Sequence, residues 1–123
     1  MSLFLRALWQ IVRFGCYLHH GTFSLLYGKV RAATYEQPVD RQTQIEEICA
    51  AIDLVCIWYP KRVLCLQRSA ATTCLLKCYG IPARMVLGAQ QMPFKAHAWV
   101  EVNGCVVNDR PYVPEIYAEL DRC

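Results

Sequence analysis

The sequence predicts an α+β fold in which helices pack on a small antiparallel sheet. Three observations carry this expectation. Two helical patterns separated by Pro60 occupy residues 42–79, the hydrophobic period shortens from Ala83 onward, and Asn103-Gly104, the strongest turn signal in the chain, joins two strand-like runs. At 123 residues there is room for one ordinary domain, and 55% hydrophobic against 19% charged residues excludes a wholly disordered chain.

Residues 3–19 fit a first helix. Leu5, Leu8, Val12 and Cys16 recur on one face, and Arg6, Gln10, Arg13 and Tyr17 recur on another. Such a basic amphipathic helix packs in a core, docks on another protein or lies on a membrane surface, in each case through its apolar stripe. Gly21 and Gly28 weaken any continuation, and TYEQPVD at 34–40 reads as a linker around Pro38. The expected organisation is an amphipathic segment over residues 1–35 and a main domain over residues 40–123.

From Gln42 to Trp58, the apolar residues Ile45, Ile48, Cys49, Ile52, Val55 and Cys56 form a helical stripe opposed by Glu46, Glu47 and Asp53. Pro60 stops it. A second helix starts close to Cys65 and runs to about Tyr79, where Gly80 and Pro82 end it. Residues 83–89 then read as a strand, 90–94 as a loop, 95–102 as a strand with His97, Trp99 and Glu101 on one face, and 105–108 as a third strand. The tail after Pro111 has the look of a short helix running through Tyr117 to Leu120.

The net charge of +3 hides an uneven distribution: Arg6, Arg13, Lys29 and Arg31 are unopposed in the first 33 residues, and residues 61–100 carry six cations and no acid. These charges form no dense aromatic-interleaved cluster or nucleic-acid reading motif, so no nucleic-acid partner is expected. No cleavage site follows the arginine-interrupted start, and no eighteen-residue apolar run is free of polar breaks. A cytoplasmic protein with eight reduced cysteines is the expectation. No metal site is expected, because Cys74 and Cys78 lack a CxxC partner and His19, His20 and His97 follow no zinc-ligand spacing.

A nucleophilic cysteine needs a thiolate, which a helix N-terminus favours through its N–H groups and dipole. Cys65 occupies such a place, with Lys61, Arg62 and Arg68 nearby in sequence. His97, next to Trp99 in a strand, has the chemistry to exchange a proton with that thiol. The third member would orient the imidazole. With a strict two-residue turn, Ala98 faces Asp109, which puts His97 and Asp109 on opposite faces and leaves Asn108 diagonal to His97. A bulge or a three-residue turn would bring Asp109 across instead. Register alone leaves Asn108 and Asp109 both open.

The order of Cys65 in VLCLQRSAATTCLLKCYGIPARMVLGA, His97 in FKAHAWVEVNG and VVND at 106–109 resembles the transglutaminase-like cysteine peptidases of lasso-peptide biosynthesis, the stand-alone B2 proteins. The resemblance covers roughly residues 42–123. It implies a papain/transglutaminase-like arrangement with Cys65 as nucleophile, His97 as base and Asp109 as the orienting acid. It also implies ATP-independent cleavage of the leader–core bond of a precursor peptide without a cofactor. The implied partners are the leader peptide, a separate B1 precursor-recognition protein and an ATP-dependent lasso cyclase. Two other readings fit the same residues: a transglutaminase-like acyl transferase and a noncatalytic precursor-peptide binding protein. Gln67 matches an oxyanion glutamine in residue type alone, and Trp99, Arg68 and Glu101 are as readily packing or surface residues.

Overall fold

The computed structural model describes residues 2–19, 23–32, 42–91 and 93–123. The chain runs through helices α1 (Leu3–His19), α2 (Phe23–Ala32), α3 (Gln42–Trp58) and α4 (Cys65–Cys78), then strands β1 (Ala83–Gln91), β2 (Phe94–Val102) and β3 (Cys105–Val106), a short helix α5 (Val113–Ile116) and strand β4 (Ala118–Arg122). The strands form one antiparallel sheet in the order β3-β2-β1-β4. This is the α+β arrangement of helices on a small sheet that the sequence predicts.

Helix α4 is the axis of the molecule. Every residue of 69–77 is buried, which works because Ser69, Ala70, Ala71, Thr72 and Thr73 are small enough for neighbours to approach on all sides. Gly80 ends the helix at φ 79°, and the Gly80 and Ile81 N–H groups donate to Lys77 O and Leu76 O, the paired bonds of a Schellman stop. In α3 the expected stripe packs inward through Ile45, Ile48, Ile52 and Val55.

Helix α1 is turned differently from its sequence pattern. Ala7, Gln10, Ile11 and Phe14 are the buried residues, whereas Leu5 and Cys16 of the expected stripe are exposed. Apolar residues cover all of the helix surface except the Arg6–Gln10–Arg13 side, an arc too broad for periodicity to select its inner face; the small Ala7 and the spacing Ala7–Ile11–Phe14 fit the close approach to α3 and α4. The linker expected over 34–40, and with it the boundary between segments 1–35 and 40–123, lies outside the described residues. Ala7, Ile11 and Phe14 nevertheless share one core with Ile48, Leu75 and Met85. Helix α2 has no counterpart among the expected elements. It spans Gly28, whose missing side chain faces open space.

Two further differences concern the sheet. The expected 90–94 loop is shorter, because β1 and β2 pair as far as Gln91 and Phe94. The tail helix is confined to 113–116, and Ala118–Arg122 is a fourth strand on the free edge of β1. Its sequence AELDR has helix formers, no apolar alternation and four exposed residues, the pattern of a charged edge strand rather than a buried one.

The sheet has two covered faces. Ala83, Met85, Val100 and Val102 join the helical core, while Val86 and Trp99 form a smaller cluster with Val113, flanked by Val106 and Tyr117. Gly88 makes the second cluster possible: a Cβ there would lie 2.7 Å from the Trp99 ring and 2.9 Å from Tyr117 Cβ. Gly88→Ala is therefore expected to lower stability by about 1–3 kcal/mol through overpacking. Urea denaturation measures this, and an unchanged midpoint would mean that the aromatic face yields.

Candidate active site

Cys65 is the first residue of α4. Leu64 before it is extended (φ −79°, ψ 157°) and offers no side-chain cap, so the N–H groups of the opening turn are left for another acceptor. Cys65 is half-buried and its thiol is free. All eight cysteines are free. Burial pushes the Cys49 and Cys74 thiols up to about 11 and also raises Cys56 and Cys123, which disfavours the thiolate at all four.

One turn beyond Cys65, α4 is stitched to the sheet. Ser69 Oγ donates to Ala98 O at 3.0 Å, next to His97. Arg68 Nη2 donates to Asn108 O at 2.9 Å, next to Asp109. The start of the helix is thus tied to the neighbours of both residues.

The hairpin brings His97 and Asp109 together by a route the sequence does not predict. The turn is the strict two-residue form, with Asn103 at φ 53°, Gly104 at φ 80° and Val102 opposite Cys105, so neither the expected bulge nor a three-residue turn is present there. The next rung also holds, with Val107 N–H on Val100 O at 3.0 Å. The ladder then ends. Val100 N–H donates to the side-chain Oδ1 of Asn108 at 2.8 Å, where a regular ladder would use the carbonyl of Val107. The amide takes over that rung, the chain leaves the sheet, and Asp109 Oδ2 lies 2.6 Å from His97 Nε2.

An ionised Asp109 accepts from Nε2–H, which leaves Nδ1 as the ring nitrogen free to exchange a proton. Burial pushes the Asp109 carboxyl up, but the His97 hydrogen bond, the Arg110 N–H and the charges of His97 and Arg68 hold it below its ordinary value. His97 stacks on Tyr117 at a centroid distance of 5.1 Å and on Trp99 at 6.1 Å. Trp99 Nε1 donates to Glu101 Oε2 at 2.8 Å, and Glu101 faces Arg122 at 3.6 Å.

A half-buried thiol at a helix start, an imidazole and a carboxylate bonded to it are the parts of cysteine acyl chemistry. His97 and Asp109 are in contact; among the described residues, Cys65 is hydrogen-bonded to neither. Gln67 is turned to α1, where its buried Nε2 donates to Ile11 O at 2.7 Å, and so does not serve as an oxyanion donor. Arg68 pairs with Asp53 at 2.8 Å besides holding Asn108. Sequence reasoning missed Ser69, Tyr117 and Gly88; the last carried a signal as the glycine opposite His97 once the β1–β2 register is known. No group of side chains fit for a metal ion occurs among the described residues.

A model of the family described as "Transglutaminase-like superfamily" matches residues 10–122. The chain belongs to the transglutaminase-like superfamily. This transglutaminase-like chain is also 45% identical over 47 residues to the microcin J25-processing protein McjB of Escherichia coli, an alignment covering 38% of the chain and 23% of that protein. No solved structure matches it.

Two outcomes follow for this transglutaminase-like hairpin. Asn108→Ala leaves the Val100 N–H without its acceptor and is expected to cost about 1–3 kcal/mol, read from chemical denaturation. Because the folded-state pKa of Asp109 is depressed, its contribution to stability is present above its unfolded value and is lost as the pH falls below about 4. Thermal melts across pH 2–7 should show a shallower acid decline in Asp109→Asn than in the parent.

Proposed function

We propose that the chain is a cysteine peptidase that cuts the leader–core bond of a lasso-peptide precursor, with Cys65 as nucleophile, His97 as acid and base and Asp109 as the group that orients the imidazole. The observation that supports this best is the 2.6 Å His97–Asp109 contact on a hairpin stitched to the start of the Cys65 helix, in a transglutaminase-like chain. Similarity to a microcin-processing protein supports the substrate class.

In this reading His97 Nδ1 takes the proton of the Cys65 thiol, and the thiolate attacks the scissile carbonyl carbon. The unpaired N–H groups of the first turn of α4 stabilise the resulting oxyanion. The C–N bond then breaks, His97 gives its proton to the departing amine, and a thioester remains on Cys65. Water, deprotonated by His97, attacks that thioester; the C–S bond breaks, the leader leaves as a carboxylic acid and the thiol is restored. Asp109 keeps Nε2 protonated and favours the imidazolium at each transfer.

The partners in this reading are the leader peptide, a separate B1 recognition protein and the ATP-dependent cyclase that consumes the freed core amine, all in the cytoplasm. Among the described residues, no helix is long and apolar enough to cross a membrane. Residues 1–35 are assigned to docking. Ala7, Ile11 and Phe14 anchor α1 on the core, while Leu5 at 51% and Trp9 at 60% exposure are left for a partner.

Incubation of precursor and recognition protein with each variant, followed by mass spectrometry, tests the assignment. Cys65→Ala is expected to give no leader fragment while melting as the parent does; full cleavage by it would overturn the reading. Asp109→Asn should slow single-turnover cleavage on the order of 10²–10⁴-fold. A leader product carrying an added amine in place of a free acid would mark an acyl transferase. Calorimetry of Leu5→Ser and Trp9→Ser should show at least fivefold weaker binding of the recognition protein with unchanged cleavage at saturation.

A further inference from the structure

A cavity of about 560 Å³ lies at the end of the sheet marked by the Asn103-Gly104 turn, away from the His97–Asp109 pair. Its volume falls within the roughly 300–1,000 Å³ of clefts that hold extended organic ligands. Four cations from four different elements line it, Arg31 of α2, Lys77 of α4, Arg84 of β1 and Arg122 of β4; Glu101 lies in the same wall, and Asp121 and Glu119 meet Arg31 and Arg122 at its edge.

The wall is already suited to carboxylates. Arg31 holds Asp121 at 3.4 Å, and Arg122 pairs with both Glu119 and Glu101. Arg84 is exposed and, among the described residues, its side chain makes no hydrogen bond or ion pair. Lys77 is buried, and its ammonium donates to Val30 O at 3.0 Å and Cys123 O at 3.1 Å, which uses two of three N–H donors. Burial pushes the Lys77 ammonium below its ordinary value.

We propose that this cavity is an exosite for an acidic peptide segment, whose Asp or Glu carboxylates pair with Arg84 and Arg122 above Lys77. That the anion is part of a peptide rests on the peptidase reading; that the occupant is anionic rests on the Arg84 guanidinium, which has no partner among the described residues, beside the guanidinium of Arg122. Asn103 lies six positions after His97, about 20 Å at 3.3 Å per step. An extended substrate would therefore carry its acidic segment about six residues from the bond that is cut.

Fluorescence anisotropy tests this with a labelled, end-blocked hexapeptide of alternating Glu and Gly, the same peptide with Gln for Glu, and inorganic phosphate as competitor, each on the full chain. The Glu peptide is expected to bind at least tenfold more tightly than the Gln peptide. Arg84→Glu should weaken it at least tenfold and the milder Arg84→Gln about threefold, while Lys95→Glu, at the other end of β2, leaves it within twofold. Equal binding of the two peptides, or no loss in either Arg84 variant, would overturn the exosite. So would an equal loss in Lys95→Glu, which means diffuse charge attraction, or displacement by millimolar phosphate, which means a phosphate site. Cleavage is not needed for this readout: a chain that binds the Glu peptide but cuts no precursor keeps the exosite and loses the peptidase reading, and the reverse result does the opposite.

Discussion

Asn108 ties the end of its hairpin both to β2 and to the distant helix α4. Its Oδ1 accepts from Val100 N–H, its Nδ2 donates to Ser69 Oγ at 3.1 Å, and its carbonyl accepts from Arg68. A buried amide with its polar atoms satisfied fixes position more sharply than apolar contact, because each bond has a direction and a lost partner is costly in a dry interior. By taking the place of a main-chain carbonyl, it releases the strand after Val107. Had the ladder continued, Ala98 would face Asp109 and the carboxylate would lie on the other face from His97. The amide and the acid next to it thus divide the work: one sets the backbone path, and the other meets the imidazole.

The pattern along α3, α4, β1 and β2 was open to reading because each has a strong period or strong stop signals: the Ile45–Val55 stripe, Pro60, Gly80 and the alternation of 95–102. Cys65 at a helix start was legible for the same reason. The inner face of α1 was not, since its apolar residues span a broad arc that includes both the exposed Leu5 and the buried Ile11. Nor was β4, whose exposed charged residues reflect an edge held by main-chain bonds and by the Arg122–Glu101 pair. The link between Asp109 and His97 was legible through family pattern but not through register. A side-chain oxygen that replaces a carbonyl leaves no mark in hydrophobic periodicity.

Helix α4 shows why the small residues after Cys65 matter to chemistry as well as to packing. Ser69 through Thr73 let α1 and the sheet close on opposite sides, which holds the helix axis rigidly. A rigid axis fixes the direction of the unpaired N–H groups at its start. Gln67 adds to this through its bond to Ile11 O, so the first helix supports the opening turn even though it supplies no reacting group.

The stack of His97, Trp99 and Tyr117 also gives the molecule an optical property. Trp99 is 1% exposed and in ring contact with His97, whereas Trp9 and Trp58 face water. Indole emission is blue in an apolar setting and red in water, and an imidazolium quenches a stacked indole by accepting an electron from its excited state. The blue component of the intrinsic fluorescence therefore reports on the surroundings of the His97 ring with no label attached, against a red background from the two exposed indoles.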